Sequence, residues 1–365
     1  MLHLTSGARV RARTLHTPPF IGAVLVLVFA GRAASASVNP DISVIGDTRA
    51  NWSDAQDDVS LSFEEAELSI VGALNPYASG TVTLGFSEDE GVDIEEAKLS
   101  LDRYFPGGLG LTAGKYLVDF GQLNQVHAHA YPFIERTLMH QVFFGPEGIQ
   151  DVGARLDWIA PAPWEKVSVR AAAGAVRGDL FLGPEDEREV PEGGEPTDPE
   201  IGGTGRLEVF VEPSENTSFL LGGSVLYGAF DPNTDAHATW FGPDLKVRFD
   251  LGPQSTLILN GEAAFGSLDA TAATPSADPN GWFASADYRA NKRWNFGGFA
   301  EATTARFDDT LHTNRYGGFV GLSLMEETTL FRILGRTTDP ENGDSNPEAI
   351  VQAIFGLGPH RAHRY

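Results

Sequence analysis

From residue 41 onward the chain interleaves apolar and polar positions with a period of two, the spacing that sends successive side chains to opposite faces of a β-strand. In one run Leu245, Val247 and Phe249 alternate with Asp244, Lys246, Arg248 and Asp250. In another Val152, Ala154, Leu156 and Trp158 alternate with Asp151, Gly153, Arg155 and Asp157. The pattern predicts strands over 41–51, 62–75, 78–86, 94–104, 109–118, 148–160, 165–177 and 204–212. It predicts eight more over 217–228, 239–250, 255–266, 281–290, 294–305, 314–325, 328–337 and 347–365.

The connections sharpen this picture. Short turns such as Asn75-Pro76-Tyr77, Leu251-Gly252-Pro253-Gln254 and Asn291-Lys292-Arg293 take turns with longer polar loops near 52–61, 87–93, 119–147, 178–203, 229–238, 267–280, 306–313 and 338–346. An even number of antiparallel strands with short turns on one side and longer loops on the other predicts an all-β fold. The expected architecture is a transmembrane antiparallel up-and-down β-barrel of about 16 strands. Closure removes the edge strands, and every backbone group within a bilayer must be paired. Trp158, Trp164, Tyr227, Trp240, Trp282, Trp294 and Tyr316 fall near strand ends, where interfacial girdles are expected. A soluble β-sandwich would show the same alternation, so the reading rests on the connections.

The first 36 residues add an export expectation. Arg9, Arg11 and Arg13 precede the apolar run Ile21–Ala30, and Ala34-Ser35-Ala36 supplies small residues for cleavage. Residues 1–36 are therefore read as a secretory signal peptide and 37–365 as an outer-membrane barrel. The formal charge of −24 becomes −28 once the four arginines of that segment leave, because no acidic residue leaves with them. So acidic a chain is unsuited to nucleic acid and favours cations. With no cysteine there is neither a disulfide framework nor a thiolate metal site. The stretch 184–203 is acidic and rich in Pro and Gly, the composition of a mobile exposed loop.

Two groups of residues carry candidate chemistry. The third long loop holds His127, His129 and His140, which with nearby carboxylates form a candidate site for Zn²⁺ or another divalent metal. The alternative is that these side chains simply pack a loop folded inward. Strand parity places Glu96, Lys98, Asp102, Arg155, Asp157, Arg170, Lys246, Arg248, Asp287 and Arg289 on the pore-lining face. Glu65, Glu67, Asp151, Arg206, Glu208, Asp244, Glu262, Glu301, Arg332 and Arg336 share that parity. The adjacent pairs Glu64-Glu65 and Glu95-Glu96 read as charges at strand mouths. No nucleophile elbow or zinc-protease helix is present, so no enzyme is expected.

Residues 94–161 resemble the phosphate-selective-porin-like outer-membrane proteins of Gram-negative bacteria. The likeness rests on Ile94-Glu95-Glu96-Ala97 with Leu99 and Leu101, on Gly107-Gly108-Leu109, on Leu111-Thr112-Ala113-Gly114-Lys115 and on Phe120-Gly121. His127-Ala128-His129, Pro132-Phe133 and Phe143-Phe144-Gly145 look like porin relatives of unknown role. The resemblance implies a channel for passive diffusion of small hydrophilic solutes or ions. It implies a lumen narrowed by loop 119–147, outer-membrane lipid around the barrel, a possible homotrimer and no cofactor. That family's phosphate selectivity goes with a ladder of basic side chains. Only five lysines follow residue 36, so cations are the expected preference, with metal uptake through the His-rich loop as the alternative.

Overall fold

The computed structural model describes residues 40–359 apart from 89–90, 162–164, 184–197, 232, 272–273 and 325–327. The signal segment, Trp164, most of the acidic stretch 184–203 and the C-terminal aromatic Tyr365 lie outside the described residues.

Sixteen strands follow one another along the chain. They are β1 (Asp41–Ser53), β2 (Asp58–Asn75), β3 (Ala78–Ser87), β4 (Gly91–Phe105), β5 (Leu109–Leu117), β6 (Gln150–Ile159), β7 (Val167–Val176) and β8 (Gly202–Ser214). Then come β9 (Thr217–Asp231), β10 (Ala236–Asp250), β11 (Thr256–Leu268), β12 (Asn280–Arg289), β13 (Trp294–Thr304), β14 (His312–Ser323), β15 (Thr329–Pro340) and β16 (Asn346–Leu357). Each pairs antiparallel with its neighbours in sequence, and β1 closes on β16 from Val44↔Leu357 to Ser53↔Glu348. The structure is thus a closed transmembrane β-barrel of sixteen strands. No helix among the described residues is long and apolar enough to cross a membrane.

Alternation sorts the side chains as the pattern predicts. On β10, Thr239, Phe241 and Leu245 point outward, while Ala238, Trp240 and Asp244 are buried inside. Exposed Leu156, Leu207, Leu221, Val225, Val320, Ile333 and Val351 form an outer apolar band. In water such a surface would drive aggregation; a bilayer covers it. Trp52, Tyr227, Trp282 and Tyr316 rim the band at the loop end, and Tyr104, Trp158 and Trp294 rim it at the turn end. Trp240 is the exception. It faces inward and is fully buried, because its parity on β10 is that of Asp244 and not of Phe241.

Several strands outrun their predicted ends on the loop side. The connections 54–57 and 232–235 are consequently as short as the turns opposite. The real asymmetry is which end carries the long excursions, 118–149, 177–201 and 269–279. The last strand stops at Leu357, and Gly358 takes a φ of 84°.

Two β-bulges reshape the lumen wall. In the β1–β2 ladder Asp47 pairs with Glu65 and Thr48 with Phe63, which leaves Glu64 as an extra residue. In the β3–β4 ladder Thr83 pairs with Glu96 and Leu84 with Ile94, which leaves Glu95 as an extra residue. A bulge lets two consecutive side chains share one face. Glu64 and Glu65, and likewise Glu95 and Glu96, all face the lumen.

Candidate functional site in the barrel lumen

The loop 118–149 folds into the barrel. Its base is clamped by Asn124, whose Nδ2 donates to the carbonyls of Val118 and Ile149 at 2.8 Å each. Its Oδ1 accepts from Ile149 N at 2.9 Å. Gly121 N donates to Ser224 Oγ on β9 at 3.1 Å, and Gln122 N and Leu123 N both donate to Glu262 Oε2 on β11 at 3.2 Å. Gly121 has a φ of 62°, and a Cβ there would collide with the Glu262 carboxylate, so only glycine fits.

Further along, the short helix α1 (Leu138–Phe144) packs on β12 and β13. Leu138 N donates to Glu301 Oε2 at 2.6 Å. Phe143 and Phe144 close on Trp240 with ring centroids 4.8 and 5.0 Å away, and Phe133 meets Phe283 at 4.6 Å. Each large apolar side chain buried this way contributes about 1.5–3 kcal/mol. The aromatic content of the loop is what docks it, and Trp240 turns inward to receive it.

The three histidines separate. His140 is fully buried against Phe120 and Phe144, with Nε2 3.0 Å from Glu262 Oε1. His127 and His129 stack elsewhere, with centroids 5.9 Å apart and planes inclined by 11°. His127 Nδ1 lies 2.7 Å from Glu95 Oε2 and 3.3 Å from Glu67 Oε2, and its Nε2 is 3.8 Å from Glu96 Oε2. His129 Nδ1 lies 3.2 Å from the same Glu67 Oε2. Arg332 Nη1 on β15 donates to the His129 carbonyl at 2.8 Å and fixes this part of the loop. Burial works against a charged imidazole at His127. The facing Glu67, Glu95 and Glu96 carboxylates outweigh it and raise the pKa to about 10.

Parity alone puts Glu64 and Glu95 outside the lumen, and only the bulges bring them in. Opposite them, Gly85 on β3 leaves the room that two carboxylates occupy. A Cβ there would come within 2.7 Å of Glu65 Oε1 and 2.8 Å of Glu95 Oε1.

The wall from β6 to β10 is built differently. Arg155 Nη1 meets Asp119 Oδ2 at 3.0 Å, and Arg170 reaches Asp119, Asp157 and Glu208 together. Arg206 Nη1 meets Asp244 Oδ2 at 2.6 Å, and both side chains are almost fully buried. Burial alone would raise the Asp119 carboxyl, but Arg155 and Arg170 hold it below the usual carboxylate range. Of the predicted pore-lining residues, Arg155, Asp157 and Arg170 belong to this network, and Glu96 pairs with Lys98. Arg248 pairs with Asp250 at the turn end. Asp102 is exposed near the turn end of β4, past the last regular β4–β5 pair.

Cavities flank the loop on its two sides. One of about 1380 Å³ opens toward the turns and is lined by His129, Tyr131, Lys246, Asp287, Arg289 and Arg332, among others. Another of about 330 Å³ opens toward the loops and is lined by His127, Glu64, Glu65, Glu95, Glu135 and Arg136, among others. The stacked histidines therefore stand between the two spaces.

No family model matches the chain. An uncharacterised protein of Aquifex aeolicus (strain VF5) is 28% identical over 259 residues, 64% of this chain and 52% of that protein. The chain spans about half the length of that relative. Among solved structures, the trimer form of OmpT from Vibrio cholerae superposes with a TM-score of 0.59 at 12% identity, over 87% of this chain and 99% of that one. An anion-selective porin from Comamonas acidovorans gives 0.59 at 13% identity, over 87% and 99%. OmpF of Salmonella typhi in complex with daunomycin gives 0.58 at 10% identity, over 87% and 97%. At these identities the likeness establishes a porin-like barrel fold.

Proposed function

We propose that the protein is an outer-membrane porin that lets small hydrophilic solutes or ions diffuse passively, with cations favoured. The observation that carries this reading is the loop 118–149 held across a polar lumen with a cavity on each side. Sixteen strands give a barrel wide enough for an aqueous channel. A loop tethered to β9, β11, β13 and β15 narrows it.

The cation preference rests on the part of the lumen beside the stacked histidines. Glu65, Glu67 and Glu95 face it, and among the described residues no lysine or arginine forms a salt bridge with them. Rings and patches of charge at a constriction set ion selectivity, and here the patch is rich in carboxylates. The predicted signal at 1–36 supports export, with the short turns on the periplasmic side and lipid against the apolar band. Passive diffusion requires no catalytic step and no cofactor. A homotrimer, as in the trimer form of OmpT, is the assembly we propose.

The test is single-channel recording after refolding residues 37–365 into planar bilayers, with the reversal potential read in a KCl gradient. Discrete steps with a cation-selective potential are expected. Anion selectivity would keep the porin and return phosphate-like solutes to the front. Absence of conductance from folded, inserted protein would end the channel reading.

A further inference from the structure

We propose that Glu67, Glu95, His127 and His129 form a binding site for one divalent transition-metal ion of the zinc type, set between the two cavities. Glu67, Glu95 and His127 each present a ligand atom within 4.8 Å of the others. The site needs no conduction, so it stands or falls apart from the porin reading.

The first argument is spacing. A tetrahedral ion with bonds of about 2.0–2.1 Å holds its ligand atoms about 3.3 Å from one another. Glu67 Oε2 lies 3.3 Å from His127 Nδ1 and 3.2 Å from His129 Nδ1. One carboxylate oxygen is thus flanked by two imidazole nitrogens, and because His129 stands outside the 4.8 Å cluster of Glu67, Glu95 and His127, its ring must turn toward the ion to complete the set. Glu95 Oε2, 2.7 Å from His127 Nδ1, supplies a further carboxylate donor.

The second argument is charge. Glu65, Glu67 and Glu95 crowd one side of the lumen, and the near-parallel histidines are the bases that face them. Carboxylates crowded together in a buried place are costly unless positive charge neutralises them. A divalent ion held between Glu67 and Glu95 would neutralise both at once.

The third argument is support. Metal-bound imidazoles have their second nitrogen oriented by a carboxylate. Glu96 Oε2 stands 3.8 Å from His127 Nε2 and is itself held by Lys98. The loop backbone at His129 is fixed by Arg332. Two imidazoles and two carboxylates suit Zn²⁺ or Cu²⁺ better than Ca²⁺ or Mg²⁺, which take oxygen ligands.

The experiment uses the refolded mature chain in detergent, stripped with a chelator and titrated with ZnCl₂ by calorimetry. One equivalent is expected to bind. His127→Ala and Glu67→Gln each remove a ligand, and are expected to weaken binding by more than the roughly 10- to 100-fold that loss of a supporting partner costs. His140→Gln lies outside the site and should leave the affinity unchanged. Should His127→Ala not fold, His129→Gln and Glu95→Gln replace it. X-ray absorption at the zinc edge of the unmutated protein reads the ligands directly, and two imidazoles bound to the zinc are expected. No zinc bound, a ligand set without two imidazoles, or unchanged affinity in Glu67→Gln would each overturn the site.

Discussion

On the β6–β10 wall the guanidinium groups of Arg155, Arg170 and Arg206 each meet carboxylates. On the β2–β4 wall Glu65, Glu67 and Glu95 face two histidines and no salt-bridging arginine or lysine among the described residues. Both walls line one lumen and both are largely buried. The first has the chemistry of a structural brace, in which every charge is satisfied by the fold itself. The second sets three carboxylates against imidazoles instead of guanidinium groups, which leaves it the more acidic wall and the one open to a cation, passing or resident. Buried ion pairs add little net stability, yet removing one partner is expensive. The two walls should therefore answer mutation in opposite ways.

The largest effect is expected for Arg206→Met. It strands the Asp244 carboxylate in a buried position, at about 3–5 kcal/mol. Glu67→Gln removes one of the three carboxylates facing His127 while Glu95 and Glu96 remain, so its cost should be smaller, about 1–3 kcal/mol. Thermal unfolding in detergent, followed by heat-modifiable migration on gels, compares the two. Equal losses would show that the β2–β4 carboxylates are braced as firmly as Asp244.

Selectivity should split along the same line. Neutralising Glu65, Glu67 and Glu95 together by glutamine is expected to lower cation over anion permeability several-fold, read as a shift of reversal potential. Neutralising Asp157 and Glu208 should shift it far less, since Arg170 already screens both. A larger shift from the second variant would move the selectivity filter to the opposite wall.

Acid should loosen the loop from its braced side. Burial raises the Asp119 and Glu135 carboxyls, but Arg155 and Arg170 lower the first and Arg336 and Arg49 lower the second, with a net fall in each. Because their folded pKa values lie below the unfolded ones, their contribution is complete above the ordinary carboxylate range. It is lost as pH falls through the lowered values. Open-channel noise should rise below about pH 4, and Arg336→Gln should move that onset to higher pH. Noise that instead grows on the alkaline side would mean the docking depends on other groups.

Most of the barrel was legible because its signal is local. Period-two alternation and turn residues lie within a few positions of each other, and the sixteen strands emerge from them. The inward fold of loop 118–149 was legible from its phenylalanines and tyrosine, whose burial outweighs solvation of the backbone. The candidate site was only partly so. Parity placed Glu67 and Glu96 inside, but the bulges at Glu64 and Glu95 arise from register between neighbouring strands, which no single run of residues reveals. His140 shares a loop with His127 and His129, yet the chain between them crosses the lumen, so nearness in sequence carried no nearness in space. Trp240 has the strand-end position of a girdle residue, but its partners Phe143 and Phe144 come from about a hundred residues earlier in the chain, beyond the reach of any local pattern.

The smallest expected effect on stability is at Gly85, one of a matched pair of glycines, one on each wall. A Cβ at Gly85 would come within 2.7 Å of Glu65 Oε1, and one at Gly222 would press on the Asp244 carboxylate and come within 2.5 Å of Arg206 Nη2. Both clashes are with the ends of side chains, which can shift. At Gly222 the shift must break a buried pair that has no alternative partner arrangement as good, so Gly222→Ala should be clearly destabilising. At Gly85 the two carboxylates have cavity to move into. Gly85→Ala should therefore change stability by less than about 0.5 kcal/mol while reducing zinc affinity, because the displaced Glu95 no longer faces His127. Unchanged zinc affinity in a folded Gly85→Ala protein would leave Glu95 out of the ligand set and reduce the contrast between the walls to one of stability alone.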